Sequence, residues 1–530
     1  MKKFLNKFIV ILFLIIFIIE IIFSSIYIFD SFFLLFERIT YGSLVDPEVL
    51  LNIIIFIYEL IIIPMGLFLF LHIPLALASR SYETAKINSS NQPKVSIIIP
   101  TAYPNILALE ANFKKIKEIL YKNYEVVVVD NSQNLKLVEK IKNLTNRYNV
   151  LFYHREAKKG FKSGNINYIL DKIKSKYFLF IDIDQIIVPD SIINFVELLE
   201  ADEKLAFVQA KYKIQNDNSI VRIAISIMYS YYYEILSRGK DFRKTVLFNG
   251  TTACFRRSAI LAVNGFPDKT YCEDIDISNK LILSGFKSRF LNEYATTALV
   301  PWRLSDFISS TWRWAHGATS IVKVRTKEIF SSKKIGGITK VELFMNNLVW
   351  ITGSGTILLA ISLLIIYLGG WETLRPQYSI SILHEIIIFD GFQFFALFFA
   401  FNTLIGSMVA VFGSNSLKWF LVLPVYFIAT LSLFFFIFPA VISAIFNKNL
   451  PSDSRSEWNK RLNYNLYGLF MIPYGLINLL IGLEALFKMN LIGLFFIMIA
   501  ISTITPFLFL IFDRFTNIKK LEQEYFEQFL

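Results

Sequence analysis

Apolar residues are distributed along this chain in two regimes. Residues 8–29 and 50–78, and most of 343–512, form long runs almost free of charge. A run of about 20 apolar residues spans a bilayer core of roughly 30 Å at 1.5 Å per residue. Between these runs, residues 79–342 show the mixed pattern of a soluble domain, with short apolar stretches at Val95–Pro100, Tyr124–Asp130, Val150–Tyr153 and Tyr177–Asp182. Stretches of that kind, separated by helical segments, predict a mostly parallel α/β sheet covered on both faces. Ligands bind such sheets at the carboxyl ends of the strands, so polar residues there carry extra weight. The plan is a membrane region at 1–92 with two helices, a globular domain at 93–320, an interfacial amphipathic segment at 321–342, and a second membrane region with a tail at 343–530.

Composition agrees with this division. Of 530 residues 55% are apolar or aromatic, and the mean hydropathy is +0.51, which excludes an ordinary soluble protein. The net charge of +12 comes from 54 basic against 42 acidic residues. In a membrane protein that excess marks cytoplasmic loops near anionic lipid, and no nucleic-acid partner is expected. Two cysteines, Cys254 and Cys272, offer neither a disulfide framework nor a zinc spacing and fit a reducing compartment.

Orientation follows from charge. Lys2, Lys3 and Lys7 precede the first run, the loop Asp30–Val49 is acidic apart from Arg38, and Arg80, Lys86 and Lys94 follow the second run. The positive-inside bias places the N-terminus and the central domain in the cytoplasm of a multi-pass plasma-membrane protein. Five further apolar segments are expected near 344–368, 390–412, 416–446, 465–487 and 490–512, seven in all. Single crossings by the first three would leave the basic loop Asn447–Asn463 outside. The over-long 416–446 run, with Pro424 and Pro439, is therefore expected to follow a hairpin, interfacial or re-entrant path. Glu20 and Glu59 fall inside predicted spans and are read as structural pairs rather than a proton path.

Candidate chemistry gathers at the strand ends. Asp130 closes the run Glu125-Val-Val-Val-Val-Asp130, where it suits either a hydrogen bond to a base or ribose, or an N-cap for a helix beginning near Gln133. Asp182 and Asp184 end the apolar stretch Phe178-Leu-Phe-Ile-Asp182-Ile-Asp184. If extended geometry persists, both carboxylates share one face of the strand. Two acids so close repel one another unless a cation bridges them, and a hard divalent ion carrying a diphosphate fits. Glu273 and Asp274 open a helical stretch, where acids either complement the helix dipole or supply a general base. Arg313 and Trp314 lie in Ser309-Ser-Thr-Trp-Arg-Trp-Ala-His-Gly317. Interfacial anchoring is one reading; a guanidinium for a diphosphate beside an indole platform for a sugar is the other.

Taken in order, these features resemble the family-2 glycosyltransferases of the cellulose-synthase and hyaluronan-synthase type. The resemblance runs from about Lys94 to Gly317 and rests on Pro100-Thr101, Asp130, Phe161-Lys-Ser-Gly-Asn-Ile-Asn167, Asp182-Ile-Asp184, Asn249-Gly-Thr-Thr-Ala-Cys-Phe-Arg-Arg257, Cys272-Glu-Asp274 and Arg313-Trp314. It implies a Rossmann-like α/β GT-A fold and an inverting hexosyl transfer from a nucleotide diphosphate sugar, UDP-glucose on the cellulose-synthase side. It also implies that Thr101 and Asp130 hold the nucleotide, Lys162 and Arg313 the diphosphate, and Asp182 with Asp184 the nucleotide and its Mg²⁺ or Mn²⁺. Asp274 would be the base, with Glu273 and Trp314 on the acceptor. The acceptor would be a growing polysaccharide, secreted through the protein's own helices, or alternatively a membrane lipid. A transporter with a nucleotide-binding insert is the competing class, and it leaves the ordered motifs unexplained. Two positions depart from the family pattern: Ser310 stands where a glutamine precedes the Arg-Trp pair, and Arg461 stands where a threonine ends Trp458-x-x-Thr. Both departures lie on the acceptor and translocation side, and the first sets processivity apart from transfer.

Overall fold

The computed structural model describes residues 2–42, 46–79, 92–157, 160–216, 218–268, 270–371, 374–375, 377–382, 385–390, 404–409, 411, 417–446, 464–488, 492–513 and 515–530. Its central domain contains strands β1 (Val95–Thr101), β2 (Tyr124–Asp130), β3 (Leu151–His154), β4 (Tyr177–Phe180), β5 (Ile186–Ile187), β6 (Leu205–Ile214), β7 (Ala253–Arg256) and β8 (Lys287–Ala298). They form one sheet in the order β3-β2-β1-β4-β7-β6-β8-β5. β1 runs parallel to β2 and β4, and β2 to β3. β7 is antiparallel to both β4 and β6, which makes the sheet mixed where a mostly parallel one is expected.

The domain's helices are α3 (Ile106–Ile116), α4 (Leu135–Tyr148), α5 (Phe161–Leu170), α6 (Ser191–Ala201), α7 (Ile220–Tyr231), α8 (Arg238–Asp241), α9 (Arg257–Ala262), α10 (Glu273–Leu283) and α11 (Leu304–Ser331). They follow α1 (Lys2–Tyr41) and α2 (Pro47–Ala78) and precede α12 (Gly337–Gly369). Strand alternation assigns each β1 side chain to a layer. Val95, Ile97 and Ile99 pack with residues of α3, α4 and α6, whereas Ile98 packs with residues of α5, α9 and α10. All four are fully buried, and each such aliphatic side chain contributes about 1.5–3 kcal/mol.

The extended run does not reach the acidic pair. β4 stops at Phe180, whose partner on β1 is Ile98, and one further ladder bond joins Ile181 N to Ile98 O at 3.2 Å. The next residue of β1 facing that edge is Pro100, which has no N–H to continue the ladder. Asp182 instead donates its N–H to Thr251 Oγ1 at 3.0 Å, and Ile183 and Asp184 form a turn. Period-two alternation therefore does not place the two carboxylates on a common strand face.

Among the described residues, six helices are long and apolar enough to cross a membrane: Lys7–Tyr41, Pro47–Ala78, Gly337–Gly369, Trp419–Phe446, Phe470–Phe487 and Gly493–Leu510. Most of the expected run at 390–412, and the basic loop 447–463 with Arg461, lie outside the described residues. Leu423–Phe446 is one continuous helix with Pro439 inside it, which corrects the expected hairpin. Leu433, Phe436, Ile437 and Ala440 of this helix pack against Phe307 and Ile308 of α11, and that packing supports the helix across its proline. Glu59 is a structural pair as expected: its Oε1 accepts from the Tyr27 hydroxyl at 2.7 Å and from Arg375 Nε at 2.9 Å.

Residues 321–342 are not an element of their own: 321–331 complete α11 and 337–342 begin α12. Arg325 in that stretch donates from Nε to Asp276 Oδ1 at 2.6 Å and from Nη1 to Glu328 Oε2 at 2.6 Å. Burial raises the Asp276 carboxyl above its ordinary range in spite of the guanidinium. Arg325→Met strands this fully buried acid and is expected to cost about 3 kcal/mol, measured as a lower thermal midpoint of the purified protein.

Candidate active site

The carboxyl ends of β1 and β2 bring Thr101 and Asp130 opposite one another. Asp130 is fully buried and its carboxylate is closely held. Oδ1 accepts from Thr101 Oγ1 at 2.9 Å and from Ser132 Oγ at 2.7 Å, and Oδ2 accepts from Ser132 N at 3.0 Å. His154 Nδ1 lies 3.3 Å from Oδ2. The capping reading of Asp130 is set aside, since Asn134 caps α4 through a bond from Leu137 N at 3.3 Å. Asn165 of α5 ties this end to the next by accepting from Arg155 Nε at 2.8 Å and donating to Thr101 O at 3.4 Å. Arg155 does not stand out in the sequence, and Asn165 appears there only as a member of the Phe161–Asn167 motif.

Lys162 sits in the first turn of α5, just after Gly160 with φ +84°. Its ammonium donates to Asp182 Oδ1 and to Gly250 O, both at 2.6 Å. Burial lowers its pKa, but Asp182 and then Glu273 outweigh burial and hold the group above its ordinary value. Gly250 has φ +91°, a conformation that side chains other than glycine rarely adopt. The hydroxyls of Thr251 and Thr252 both donate to Gln185 Oε1, at 2.7 and 2.6 Å, fastening this loop to the far end of the acidic turn. Asp184 is exposed on that turn and Asp182 half-exposed.

Glu273 and Asp274 occupy the first turn of α10. Burial, and next the neighbouring Glu273, push the Asp274 carboxyl up to about 7. Glu273 is also raised by burial, although Lys162 and Arg313 pull it down. An added Cβ at Gly250 would stand 3.1 Å from Asp274 Oδ2, so the Lys162-bound loop lies directly against this carboxylate. Gly250→Ala combines backbone strain with pressure on Asp274. It is expected to lower kcat about 10–100-fold, the loss typical of a small displacement of a catalytic group, and steady-state kinetics of the purified variant would check it.

α11 crosses the start of α10 at very close range. A Cβ at Gly317 would meet Cys272 Sγ at 2.5 Å and Cys272 N at 2.8 Å, and the Cys272 thiol donates to Trp314 O at 3.5 Å. This approach brings Arg313 near enough to depress Glu273. Arg313 Nη2 also donates to Ser310 Oγ at 3.4 Å, and that hydroxyl in turn donates to Asp306 O at 3.0 Å. Trp314 is half-buried, and its indole meets Tyr229, Phe307 and Trp350 at ring separations of 6.3, 6.3 and 6.5 Å.

Lys162, Asp182, Glu273 and Asp274 are thus gathered around the Gly250 loop, with Arg313 beside Glu273. Among the described residues no group of three or more His, Cys, Asp or Glu side chains converges in the manner of a closed metal cage. The acidic turn nonetheless fits a Mg²⁺ or Mn²⁺ ion of the kind bound by one or two carboxylates and completed by substrate phosphates and water. Its carboxylates are hard oxygen donors, and acids outnumber bases around Lys162.

Comparison with known proteins bears on the domain that holds this arrangement. Residues 96–263 match Glycosyl transferase family 2. A probable glycosyltransferase from Sulfolobus acidocaldarius is 25% identical over 295 residues, 54% of this chain and 62% of that protein. Probable glucomannan 4-beta-mannosyltransferase 1 from Arabidopsis thaliana is 25% identical over 265 residues, 48% of each chain, and other curated matches are named as cellulose synthases. The aligned part spans 48–62% of the length of the first two relatives. A mannosyltransferase from Pyrobaculum calidifontis, solved with GDP-Man and Mn²⁺, covers 75% of this chain and 100% of its own, with TM-score 0.50 and 15% identity. That likeness concerns the fold, and it is the GT-A fold expected from the motif order. With the matching family segment enclosing the strand ends, Lys162 and the acidic turn, the chain carries a family-2 glycosyltransferase domain, with relatives that include proteins named as cellulose synthases and glucomannan mannosyltransferases.

Proposed function

We propose that the protein transfers a hexose, with inversion, from a nucleoside diphosphate sugar to the hydroxyl of a growing polysaccharide. The observation that carries this reading is the placement of Asp274 on the first turn of α10, against the Gly250 loop that binds the Lys162–Asp182 pair; burial and Glu273 raise its carboxyl to about 7. A base of that pKa is half-ionised near neutral pH, where proton transfer is most effective. Asp274 takes the proton of the acceptor hydroxyl, and that oxygen attacks the anomeric carbon from the face opposite the leaving group. The bond to the diphosphate oxygen breaks, and the diphosphate departs with the electron pair toward Lys162 and Arg313. Asp182 and Asp184 would hold Mg²⁺ or Mn²⁺, which when bound neutralises the charge developing on that leaving group. Thr101 and Asp130 anchor the nucleoside, and Glu273 and Trp314 border the acceptor.

We also propose that the 93–320 domain faces the cytoplasm at the plasma membrane, on the strength of the basic residues that flank the first two spans. The donor implied by the cellulose-synthase side of the resemblance is UDP-glucose; GDP-mannose is added to the test because the Pyrobaculum fold neighbour was solved with GDP-Man. The purified full chain would be given each donor in labelled form, with and without divalent metal. Metal-dependent incorporation of hexose into polymer supports the proposal, and absence of transfer from every donor overturns it.

A second reading, transfer to a membrane lipid, is favoured by one observation. An almost wholly apolar pocket lies between α7, α11 and the helices Leu423–Phe446 and Ile492–Asp513, lined by residues such as Met228, Phe307, Leu433 and Phe509. A hydrocarbon tail suits such a lining better than a glycan does. Label that extracts into organic solvent as a single-sugar product would establish this reading over the polymer.

A further inference from the structure

The turn bearing Asp182 and Asp184 is pinned at its ends from inside the domain, by Thr251 at Asp182 N and by Thr251 and Thr252 at Gln185. Its middle is held from outside. The carbonyl of Ile183 accepts from Asn112 Nδ2 of α3 at 2.7 Å. The side chains of Ile183 and Ile186 join a cluster with Ala108, Ala111, Tyr525 and Phe526. Tyr525 and Phe526 belong to the helix Ile518–Glu527, close to the other end of the chain. Both are buried, at 8% and 2% exposure, and their rings meet at 5.1 Å. The Tyr525 hydroxyl lies 3.4 Å from Thr297 Oγ1, and Thr297 is the residue of β8 paired with Ile186.

The segment leading into this helix also reaches α11. The Asp513 carboxylate accepts from Leu304 N at 3.1 Å and from Ser305 N at 2.8 Å, and Arg303 Nη2 donates to Thr516 O at 2.7 Å. Asp513 thereby satisfies two orphan N–H groups at the start of the helix that carries Arg313 and Trp314. Asp513 and Thr516 thus hold the start of α11, while Tyr525 and Phe526 pack behind the acidic turn.

We propose that Tyr525 and Phe526 are positioning residues for the metal-binding turn, the helix Ile518–Glu527 serving as a strap that sets the placement of Asp182 and Asp184 from behind. The inference rests on the metal reading of that turn given above. Emptying the cluster removes the part of the packing around Ile183 and Ile186 that Tyr525 and Phe526 supply, while Asp182 N, Ile183 O and Gln185 stay fastened, so the turn loosens on the side that carries Asp184. Divalent-metal affinity suffers first; turnover at saturating metal, which depends on Asp274 and Lys162, changes little.

The test uses the full chain in detergent and follows free Mn²⁺ by electron paramagnetic resonance in the presence of UDP and, separately, GDP. Tyr525→Ala/Phe526→Ala is expected to bind Mn²⁺ about tenfold more weakly, as substitutions behind metal ligands do. Its kcat at saturating Mn²⁺ should stay within about threefold. Phe526→Leu retains most of the packing, is the variant to read if the double substitution fails to fold, and should weaken Mn²⁺ by a smaller but measurable factor. Unchanged Mn²⁺ affinity in folded variants overturns the inference while leaving the proposed reaction intact. Failure of the unaltered chain to bind Mn²⁺ with either nucleotide overturns the metal reading itself, and this inference with it.

Discussion

Asp274→Asn is expected to lower kcat about a thousandfold, within the range that a general base supplies, while leaving nucleotide binding within a few-fold of the unaltered enzyme. Asparagine keeps the shape of the first turn of α10 and removes only the ability to accept the proton. The pH dependence carries the sign. The working form is the carboxylate, so kcat/KM should fall about tenfold per unit as pH drops below about 7 and level off above it. The Asn variant should lose that acidic limb. A variant that keeps both full turnover and the limb would remove Asp274 from the mechanism.

Asp182→Asn is the second large effect. This carboxylate is the Lys162 partner at 2.6 Å and the acid of the turn nearest the Gly250 loop. Its loss takes away one of the two proposed metal ligands and leaves the ammonium to Gly250 O. The expected fall in kcat/KM is about 10²–10³-fold, the scale of losing one charge-stabilising group at a leaving anion. Chelation of divalent metal should abolish turnover of the unaltered enzyme, and added Mn²⁺ or Mg²⁺ should restore it. Full activity in chelator would mean that Lys162 and Arg313 alone balance the diphosphate.

The parallel half of the sheet is legible in the sequence because β1 and β2 are runs of Val and Ile closed by a polar residue, and helical spacing separates them. β6 is not, for a physical reason: Leu205–Ile214 carries Gln209 and Lys211 at buried positions. Their polar atoms are satisfied by distant partners, Gln209 Nε2 by Thr251 O at 3.0 Å and Lys211 Nζ by Glu234 Oε1 at 2.6 Å. Acidic residues at a strand end and at a helix start mark the site, and the extended reading of Asp182–Asp184 overshoots because Pro100 ends the ladder one residue earlier. The Gly250 loop can be seen only as a motif; its contact with Asp274 depends on a left-handed glycine that no periodicity reveals. Asp513, Tyr525 and Phe526 carry no local signal, since their partners Ser305, Thr297 and Ile186 lie far away in the chain. Trp314 is visible in the sequence beside Arg313, but its ring neighbours Tyr229 and Trp350 come from other helices and carry no local signal.

A single displacement, with Asp274 as base and the diphosphate leaving on the opposite side, inverts the anomeric carbon. The deciding measurement is the anomeric configuration of the newly formed glycosidic bond, read by proton NMR on product made from an α-linked nucleoside diphosphate hexose. A β-linked product is the predicted result. An α-linked product would contradict it, because retention requires a second displacement or a front-face route that this arrangement of Asp274, Lys162 and Asp182 does not provide.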